Sequence, residues 1–132
     1  MRRCVAVVLV GVGLHGCHRP RLHVSASPPG ETVEVSRLLV PGKTTVLQFY
    51  ADWCATCAEF KKVADAALPR RPSLAVAYVD IVSFDSPAAR QFEIHSIPYF
   101  RVYGPDGALR SEGAAAYQWF WNALHTADSQ GP

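Results

Sequence analysis

The stretch Phe49–Phe60, "FYADWCATCAEF", places two cysteines three positions apart, directly after an aromatic and apolar run. The run Thr44–Tyr50 consists of residue types that favour strands. The following segment, Cys54–Leu68, is rich in Ala, Glu and Lys, which favour helices. The sequence therefore predicts that Cys54 and Cys57 lie where a buried strand ends and a helix begins, about one helical turn apart.

This position favours redox chemistry at the pair. The N-terminus of a helix presents unpaired N–H groups and a partial positive charge, and both favour the thiolate form of Cys54. Cys57, one turn further on, is placed to close a disulfide with it. We expect Cys54 to attack a substrate disulfide and Cys57 to resolve the mixed disulfide, leaving an oxidised protein and a reduced substrate; the reverse steps oxidise a substrate.

Two other roles for the pair remain open. One is a structural disulfide, although a bridge between residues so close in sequence constrains the unfolded chain little. The other is a copper site, which needs further ligands; His95, three residues before Pro98, is the only histidine near the predicted site. We expect neither a metal nor a cofactor, since "GVG" at Gly11–Gly13 lies in the N-terminal apolar run and is not a dinucleotide loop.

Length and composition indicate one globular domain. The chain has 132 residues, of which 49% are apolar and 18% are charged. A single core is therefore expected without stabilisation by disulfides. The formal net charge is +2, with no long run of one sign, so no nucleic-acid partner is expected.

The N-terminus has the pattern of an export signal. Arg2 and Arg3 precede the apolar run Val5–Leu14, which is too short to span a membrane. The following "LHGC" resembles the lipobox of bacterial lipoproteins. The resemblance implies a signal peptide over 1–16 and lipidation of Cys17, which would anchor the protein to a membrane of the bacterial cell envelope, facing the periplasm. An ordinary signal peptide would instead give an exported soluble protein.

Residues 17–30 are rich in Pro, Ser and basic types, and this composition predicts the anchor cysteine followed by a flexible tether. The folded domain is then expected over 31–132. It begins with "TVEV", Thr32–Val35, which is a short strand candidate because it is rich in β-branched residues.

Further along, strand and helix patterns alternate. Strands are predicted over Leu74–Asp80 and Tyr99–Tyr103, and Ser86 with Pro87 predicts the start of a helix between them. "GPDG" predicts a tight turn into the partner strand "ALRSE". The closing helix is expected to bury Tyr117, Phe120, Trp121 and Leu124. The order β-α-β-α-β-β-α predicts an α/β fold, a central mixed sheet with helices on both faces.

In order and spacing, "FYADWCATC", "YVD", "SIPYF" and "YGPDG" resemble the thioredoxin family. The resemblance implies a thioredoxin fold with a redox-active disulfide between Cys54 and Cys57. It also implies that Pro98 is the family's cis-proline. Trp53 and Pro98 would then shape a groove in which the backbone of Ile97 pairs with a substrate strand.

The segment "YADWCATCAEF" is particularly similar to the C-terminal domain of the membrane reductase DsbD. This similarity implies a protein-disulfide reductase that receives electrons from a membrane thiol donor. Two alternatives remain: a non-catalytic thioredoxin-like binding module, and a disulfide oxidase or isomerase. The dipeptide Ala55–Thr56 does not decide the direction, because it matches neither the Gly-Pro nor the Pro-His associated with strong reductants and strong oxidants.

Two residues depart from the family pattern. Its buried Asp, which can move a proton to and from the second cysteine, is replaced by Gln48. Proton transfer to Cys57 must therefore use water or another group, and Glu59 and Lys61 are close in sequence. Lys62 stands where thioredoxins often have a helix-kinking proline, so a straighter helix is expected.

Overall fold

The computed structural model describes residues 23–25 and 27–126. The strands are β1 (His23–Ser25), β2 (Thr44–Tyr50), β3 (Leu74–Asp80), β4 (Tyr99–Tyr103) and β5 (Leu109–Glu112), and the α-helices are α1 (Ala55–Ala67), α2 (Pro87–Gln91) and α3 (Gly113–His125). Two short 3-10 helices cover Val35–Arg37 and Leu68–Arg70. The strands predicted over Thr44–Tyr50, Leu74–Asp80 and Tyr99–Tyr103, the helix start at Ser86 and Pro87, and the closing hairpin and helix are confirmed.

The strands form one mixed sheet in the order β1-β3-β2-β4-β5. β2 and β3 are parallel, and α1 supplies the crossover that parallel neighbours require. β4 runs antiparallel to β2, with Phe49 opposite Tyr99, while Tyr50 lies opposite Asp80 on β3. The ends of β2 and β3 and the start of β4 therefore meet at one edge of the sheet.

The buried residues of β2 alternate between two cores, as expected for a strand covered on both faces. Leu47 and Phe49 pack with α2 residues such as Ala88 on one face. Val46 packs with α1 and α3 on the other face, where Phe60 of α1 and Phe120 of α3 belong to the same cluster. The predicted mixed sheet with helices on both faces is confirmed.

Phe60 is the centre of the aromatic cluster between α1, β4 and α3. Its ring centroid lies 4.7 Å from that of Phe100, 5.4 Å from that of Phe120 and 5.8 Å from that of Trp121. Phe120 is fully buried, as predicted, but Tyr117 is 39% exposed. The prediction of a buried Tyr117 is wrong, because this residue covers the rim of the cluster rather than its interior.

The segment before β2 differs from the prediction. Thr32–Val35 does not form a strand: the 3-10 helix begins at Val35, and Val33 is buried in the core instead of pairing at a sheet edge. The Gln91 side chain fixes Val33 from α2, since its amide donates to the Val33 carbonyl and its oxygen accepts from the Val33 N–H, both at 2.7 Å. A side chain thus replaces the expected strand partner.

The segment 17–30, interpreted as a tether, contains the short strand β1. This strand pairs parallel to β3, with His23 opposite Val76 and Ser25 opposite Tyr78. Gly30 is also attached to the domain, since its N–H donates to the Asp80 carbonyl at 2.8 Å. The predicted signal peptide over 1–16 and Cys17 lie outside the described residues.

We predict that Phe60→Ala destabilises the fold by about 3–5 kcal/mol, since it leaves a cavity inside an aromatic cluster that cannot fully close. Urea denaturation followed by circular dichroism measures this free energy of unfolding. Trp119→Ala removes an even larger aromatic group from the same domain, but Trp119 is 41% exposed, so a much smaller loss is expected. Equal losses in the two variants would contradict the central role of Phe60.

Candidate active site

Cys54 and Cys57 are joined by a disulfide at the start of α1, with their Cα atoms 5.3 Å apart. Cys54 is the N-cap residue of α1, and its sulfur accepts a hydrogen bond from the Cys57 N–H at 3.2 Å. The Cys54 N–H in turn donates to the Ala51 carbonyl at 3.0 Å, which fixes the turn out of β2. The predicted location of the pair at a strand-to-helix junction is therefore confirmed.

The two cysteines differ in access to solvent. Both residues are largely buried, but Cys54 is 8% exposed and Cys57 only 1%, so Cys54 is the more accessible of the two. Below the pair, the Gln48 side chain is completely buried, and its amide donates to the Cys57 carbonyl at 3.1 Å. The disulfide thus lies next to the buried Gln48 side chain, which extends towards it from β2.

Trp53 precedes the pair and is 59% exposed. Its indole N–H donates to the Val82 carbonyl at 2.7 Å, and its ring meets Phe84 edge-on at a centroid distance of 5.6 Å. Val82 and Phe84 are themselves 47% and 42% exposed. These three residues form an apolar surface beside the disulfide, called here the Trp53 patch.

Ile97 and Pro98 are half-buried and joined by a cis peptide bond. They directly precede β4, whose first residue, Tyr99, lies opposite Phe49 at the end of β2. The pair therefore lies at the same edge of the sheet as Trp53 and the start of α1. The structure thus brings Trp53, Ile97 and Pro98 to one edge of the sheet.

The family model for thioredoxin matches residues 34–120, well over half of the chain. The match includes both cysteines of the disulfide and Pro98. The chain belongs to the thioredoxin family. A thioredoxin fold that carries a Cys-x-x-Cys disulfide supports thiol–disulfide oxidoreductase chemistry in general.

Among curated proteins, this thioredoxin-family chain is 31% identical over 75 residues to protein disulfide-isomerase A4 of Homo sapiens, Mus musculus and Rattus norvegicus. The match covers 54% of this chain but only 12% of each relative's length. Among solved structures, Trichomonas vaginalis thioredoxin has a TM-score of 0.56 at 18% identity, covering 76% of this chain and 92% of that chain. Mitochondrial thioredoxin 3 of Saccharomyces cerevisiae has a TM-score of 0.49 at 24% identity, covering 64% and 80%.

A pocket of about 320 Å³ opens behind the disulfide. It is lined by Gln48, Tyr50, Ala51, Asp52, Cys54, Cys57, Ala58 and Lys61. Gln48 Oε1 is buried and has no hydrogen-bond partner among the described residues. Because buried acceptors are almost always satisfied in folded proteins, this oxygen indicates a place in the pocket for a donor such as water.

A polar network adjoins this pocket. Lys61 Nζ donates to Asp65 Oδ2 at 2.5 Å and lies 4.6 Å from the centroid of the Tyr78 ring. The Tyr78 hydroxyl donates to the other oxygen of Asp65 at 3.0 Å. Burial first, and then the charge and hydrogen bond of Asp65, raise the pKa of Tyr78 well above its usual value. Burial, followed by the charges of Asp80 and Asp52, also raises the pKa of Tyr50.

His95 is exposed and is not brought to the disulfide as a ligand. Within 23–25 and 27–126, no group of three or more His, Cys, Asp or Glu side chains is arranged to hold a metal ion. Over the same residues, no helix combines the length and apolar character that crossing a bilayer requires. Trp119 is exposed, whereas Trp121, which was predicted to be buried, is half-buried and packs against Phe60 from the edge of the core.

Sequence reasoning missed the contribution of the loop after β3. Val82 has a positive φ of 60°, unusual for a β-branched residue, and its N–H donates to Asp80 Oδ1 at 2.8 Å. Its carbonyl is thereby aimed at the Trp53 indole. The sequence offered one signal for this loop, the apolar residues Ile81, Val82 and Phe84 directly after the strand that ends at Asp80. Their contact with Trp53 depends on the tertiary fold.

We predict that Tyr78 ionises well above the usual tyrosine value of 10.0. Because the folded pKa is raised, the folded state gains stability that is fully present below about pH 10 and is lost as the pH rises through the folded value. Spectrophotometric titration of tyrosinate in the parent protein and in Tyr78→Phe measures this. Tyr78→Phe should lose one phenol that ionises well above pH 10 and keep every phenol that ionises near pH 10. If the substitution instead removed a phenol that ionises near pH 10, the prediction would be contradicted.

Proposed function

We propose that this protein is a protein-disulfide reductase of the bacterial cell envelope, with Cys54 as the nucleophile and Cys57 as the resolving thiol. The observation that carries the proposal is the asymmetry of the pair at the start of α1. Cys54 occupies the N-cap position and is 8% exposed, while Cys57 is 1% exposed behind it. A helix N-terminus stabilises the thiolate at the accessible sulfur.

The reaction exchanges one disulfide for another. The Cys54 thiolate attacks one sulfur of the substrate disulfide, which breaks and releases the other substrate sulfur as a thiolate that takes up a proton. Cys57 then loses its proton and attacks the Cys54 sulfur. The mixed disulfide breaks, the second substrate thiol leaves, and the Cys54–Cys57 bond forms, so two electrons pass from the protein to the substrate.

The substrate is held by the edge of the sheet that carries Ile97 and Pro98. An extended substrate segment pairs with the backbone before β4, which presents its disulfide to Cys54. The Trp53 patch supplies apolar contact beside this strand, since three exposed apolar side chains lie together there. Protein disulfides rather than small thiols fit such an extended surface.

The reducing direction is proposed from the similarity of "YADWCATCAEF" to the C-terminal domain of DsbD. The protein then needs an electron source after each turnover, and a membrane thiol donor that reduces the Cys54–Cys57 disulfide supplies it. Anchoring by lipid at Cys17 would keep the domain beside that donor, on the periplasmic side of the membrane. Segment 17–30 then connects the lipid to the sheet.

We predict that Cys54→Ser abolishes reduction of insulin disulfides, because the attacking sulfur is lost. Cys57→Ser should also stop turnover but accumulate mixed disulfides with substrate, detected by non-reducing electrophoresis and mass spectrometry. Ala66→Ser, at an exposed position of the same helix, serves as the control and should retain full activity. Full activity of Cys54→Ser would rule out the proposed nucleophile.

The same variants test the binding-module alternative, which the exposed Trp53 patch favours. If the protein only held a partner, Cys54→Ser would leave partner capture intact and the reduced parent protein would leave insulin unreduced. We expect that the reduced parent protein does reduce insulin, since the disulfide lies beside the Trp53 patch.

We predict a reduction potential well below that of a strong oxidant. Equilibration with defined ratios of reduced and oxidised glutathione, followed by alkylation of the free thiols, measures it. A value near about −120 mV, typical of the oxidant DsbA, would contradict the reductase direction and favour disulfide oxidation.

We predict that the protein incorporates a fatty acid at Cys17. Cells that express the full chain with an alkyne-labelled fatty acid should yield labelled protein, and Cys17→Ser should remove the label. Cys4→Ser is the matched control, because Cys4 lies in the predicted signal peptide and should not affect labelling. Unlabelled parent protein, recovered as a soluble exported form, would contradict the anchor.

A further inference from the structure

The resolving step requires Cys57 to lose a proton in a place where the sequence supplies no buried carboxylic acid. Gln48 stands below Cys57, is completely buried and does not titrate. Its amide nitrogen is already engaged by the Cys57 carbonyl at 3.1 Å. Gln48 therefore fixes the first turn of α1 and supplies no charge that would favour the Cys57 thiolate.

The groups that face the pocket limit the choice. The titratable and charged side chains around Cys57 are Tyr50, Asp52, Cys54 and Lys61 in the pocket lining, Asp65 and Tyr78 beside Lys61, and Asp80 beside Tyr50. The phenols of Tyr50 and Tyr78 have raised pKa values and stay neutral at neutral pH. The carboxylate of Asp52 disfavours a second negative charge, whereas a cation stabilises a thiolate.

Lys61 is the one basic side chain in the pocket lining, taken over the residues that the structure describes. Its position is fixed rather than free, because Nζ is bonded to Asp65 and lies over the Tyr78 ring. Tyr78 is the register partner of Gln48 on the neighbouring strand. The Lys61 ammonium group therefore lies over Tyr78, whose neighbour in the sheet, Gln48, contacts Cys57.

The other acidic and basic candidates near the pair in sequence are turned away. Glu59 and Lys62 are exposed and form an ion pair with each other at 2.7 Å on the surface of α1. Neither belongs to the pocket lining. Lys61 and Lys62 therefore differ in location while sharing charge, helix and almost the same sequence position, which makes Lys62 a matched control.

We propose that Lys61 is a positioning residue for the resolving step: its positive charge stabilises the Cys57 thiolate, while a water molecule bound to Gln48 Oε1 accepts the Cys57 proton. The proposal rests on the proposed function, since it concerns the second step of the same exchange. The proton passes from Cys57 to the pocket water and on to solvent, and the Cys57 sulfur supplies the electron pair of the new bond to Cys54. The unpartnered Gln48 Oε1 provides the acceptor that such a water requires.

The first test measures the Cys57 thiol directly and needs no substrate. In the full chain carrying Cys54→Ser, the rate of alkylation at Cys57 is followed against pH by peptide mass spectrometry. Adding Lys61→Met should raise the Cys57 pKa by about one unit, so that the thiolate fraction near neutral pH falls about tenfold. Adding Lys62→Met should leave it unchanged. An unchanged pKa with Lys61→Met would overturn the proposal.

Asp65→Asn separates charge from a merely structural effect. It removes the negative charge that partly offsets Lys61, so the Cys57 pKa should fall, opposite in sign to the Lys61→Met effect. If both variants raised the pKa, loss of a structural ion pair would explain them and the proposal would fail. Lys61→Arg keeps the charge and should preserve the parent value.

The kinetic test uses the otherwise unmodified protein. The rate at which a preformed mixed disulfide at Cys54 is released should drop about tenfold at neutral pH in Lys61→Met and recover at higher pH, with no change in Lys62→Met. Attack by Cys54 on the substrate should change much less. If no mixed disulfide forms in the parent protein, the proposed function fails, while the alkylation titration still decides the role of Lys61; a pH-independent loss in Lys61→Met would contradict that role.

Discussion

The site depends on how α1 leaves the sheet. β2 is paired on both sides, by β3 and β4, so its end has little freedom. The hydrogen bond from the Cys54 N–H to the Ala51 carbonyl closes the turn that follows, and Cys54 becomes the N-cap of α1. Everything that distinguishes the two sulfurs follows from this junction. Cys54 is at the N-terminus of the helix, and Cys57 lies one turn further on, where Gln48 donates to its carbonyl.

The sheet register assembles the rest of the site around that junction. Because β3 is parallel to β2, the loop after β3 begins beside the same edge and carries Val82 to the Trp53 indole. Because β4 is antiparallel to β2, it starts at that edge, and Ile97 and Pro98 lie there too. The connection from β2 to α1, the loop after β3 and the segment before β4 thus meet at the disulfide.

Gln48, in place of the buried Asp of the family, changes the electrostatics of the site. Its side chain is one methylene longer than that of Asp and ends in an amide, which carries no charge that varies with pH and donates to the Cys57 carbonyl. The charged groups lie instead at the side of the pocket, where Lys61, Asp65 and Tyr78 hold one another. The cost of burying an isolated charge is avoided, because Lys61 remains partly exposed to solvent.

The sequence by itself determined the strand-to-helix junction with the cysteine pair at it, the central strands and the Ser86 helix start, because these features follow from local residue preferences and short spacings. It misassigned Thr32–Val35, where Val33 is buried in the core and bonded to the Gln91 side chain, and Tyr117, which lies at the rim of the aromatic cluster. Only the tertiary structure decided which distant groups face the pair. The contacts of Trp53 with Val82 and of the Lys61 network with the pocket join residues on different elements. Strand register and loop path set these contacts, and no local pattern in the chain encodes them.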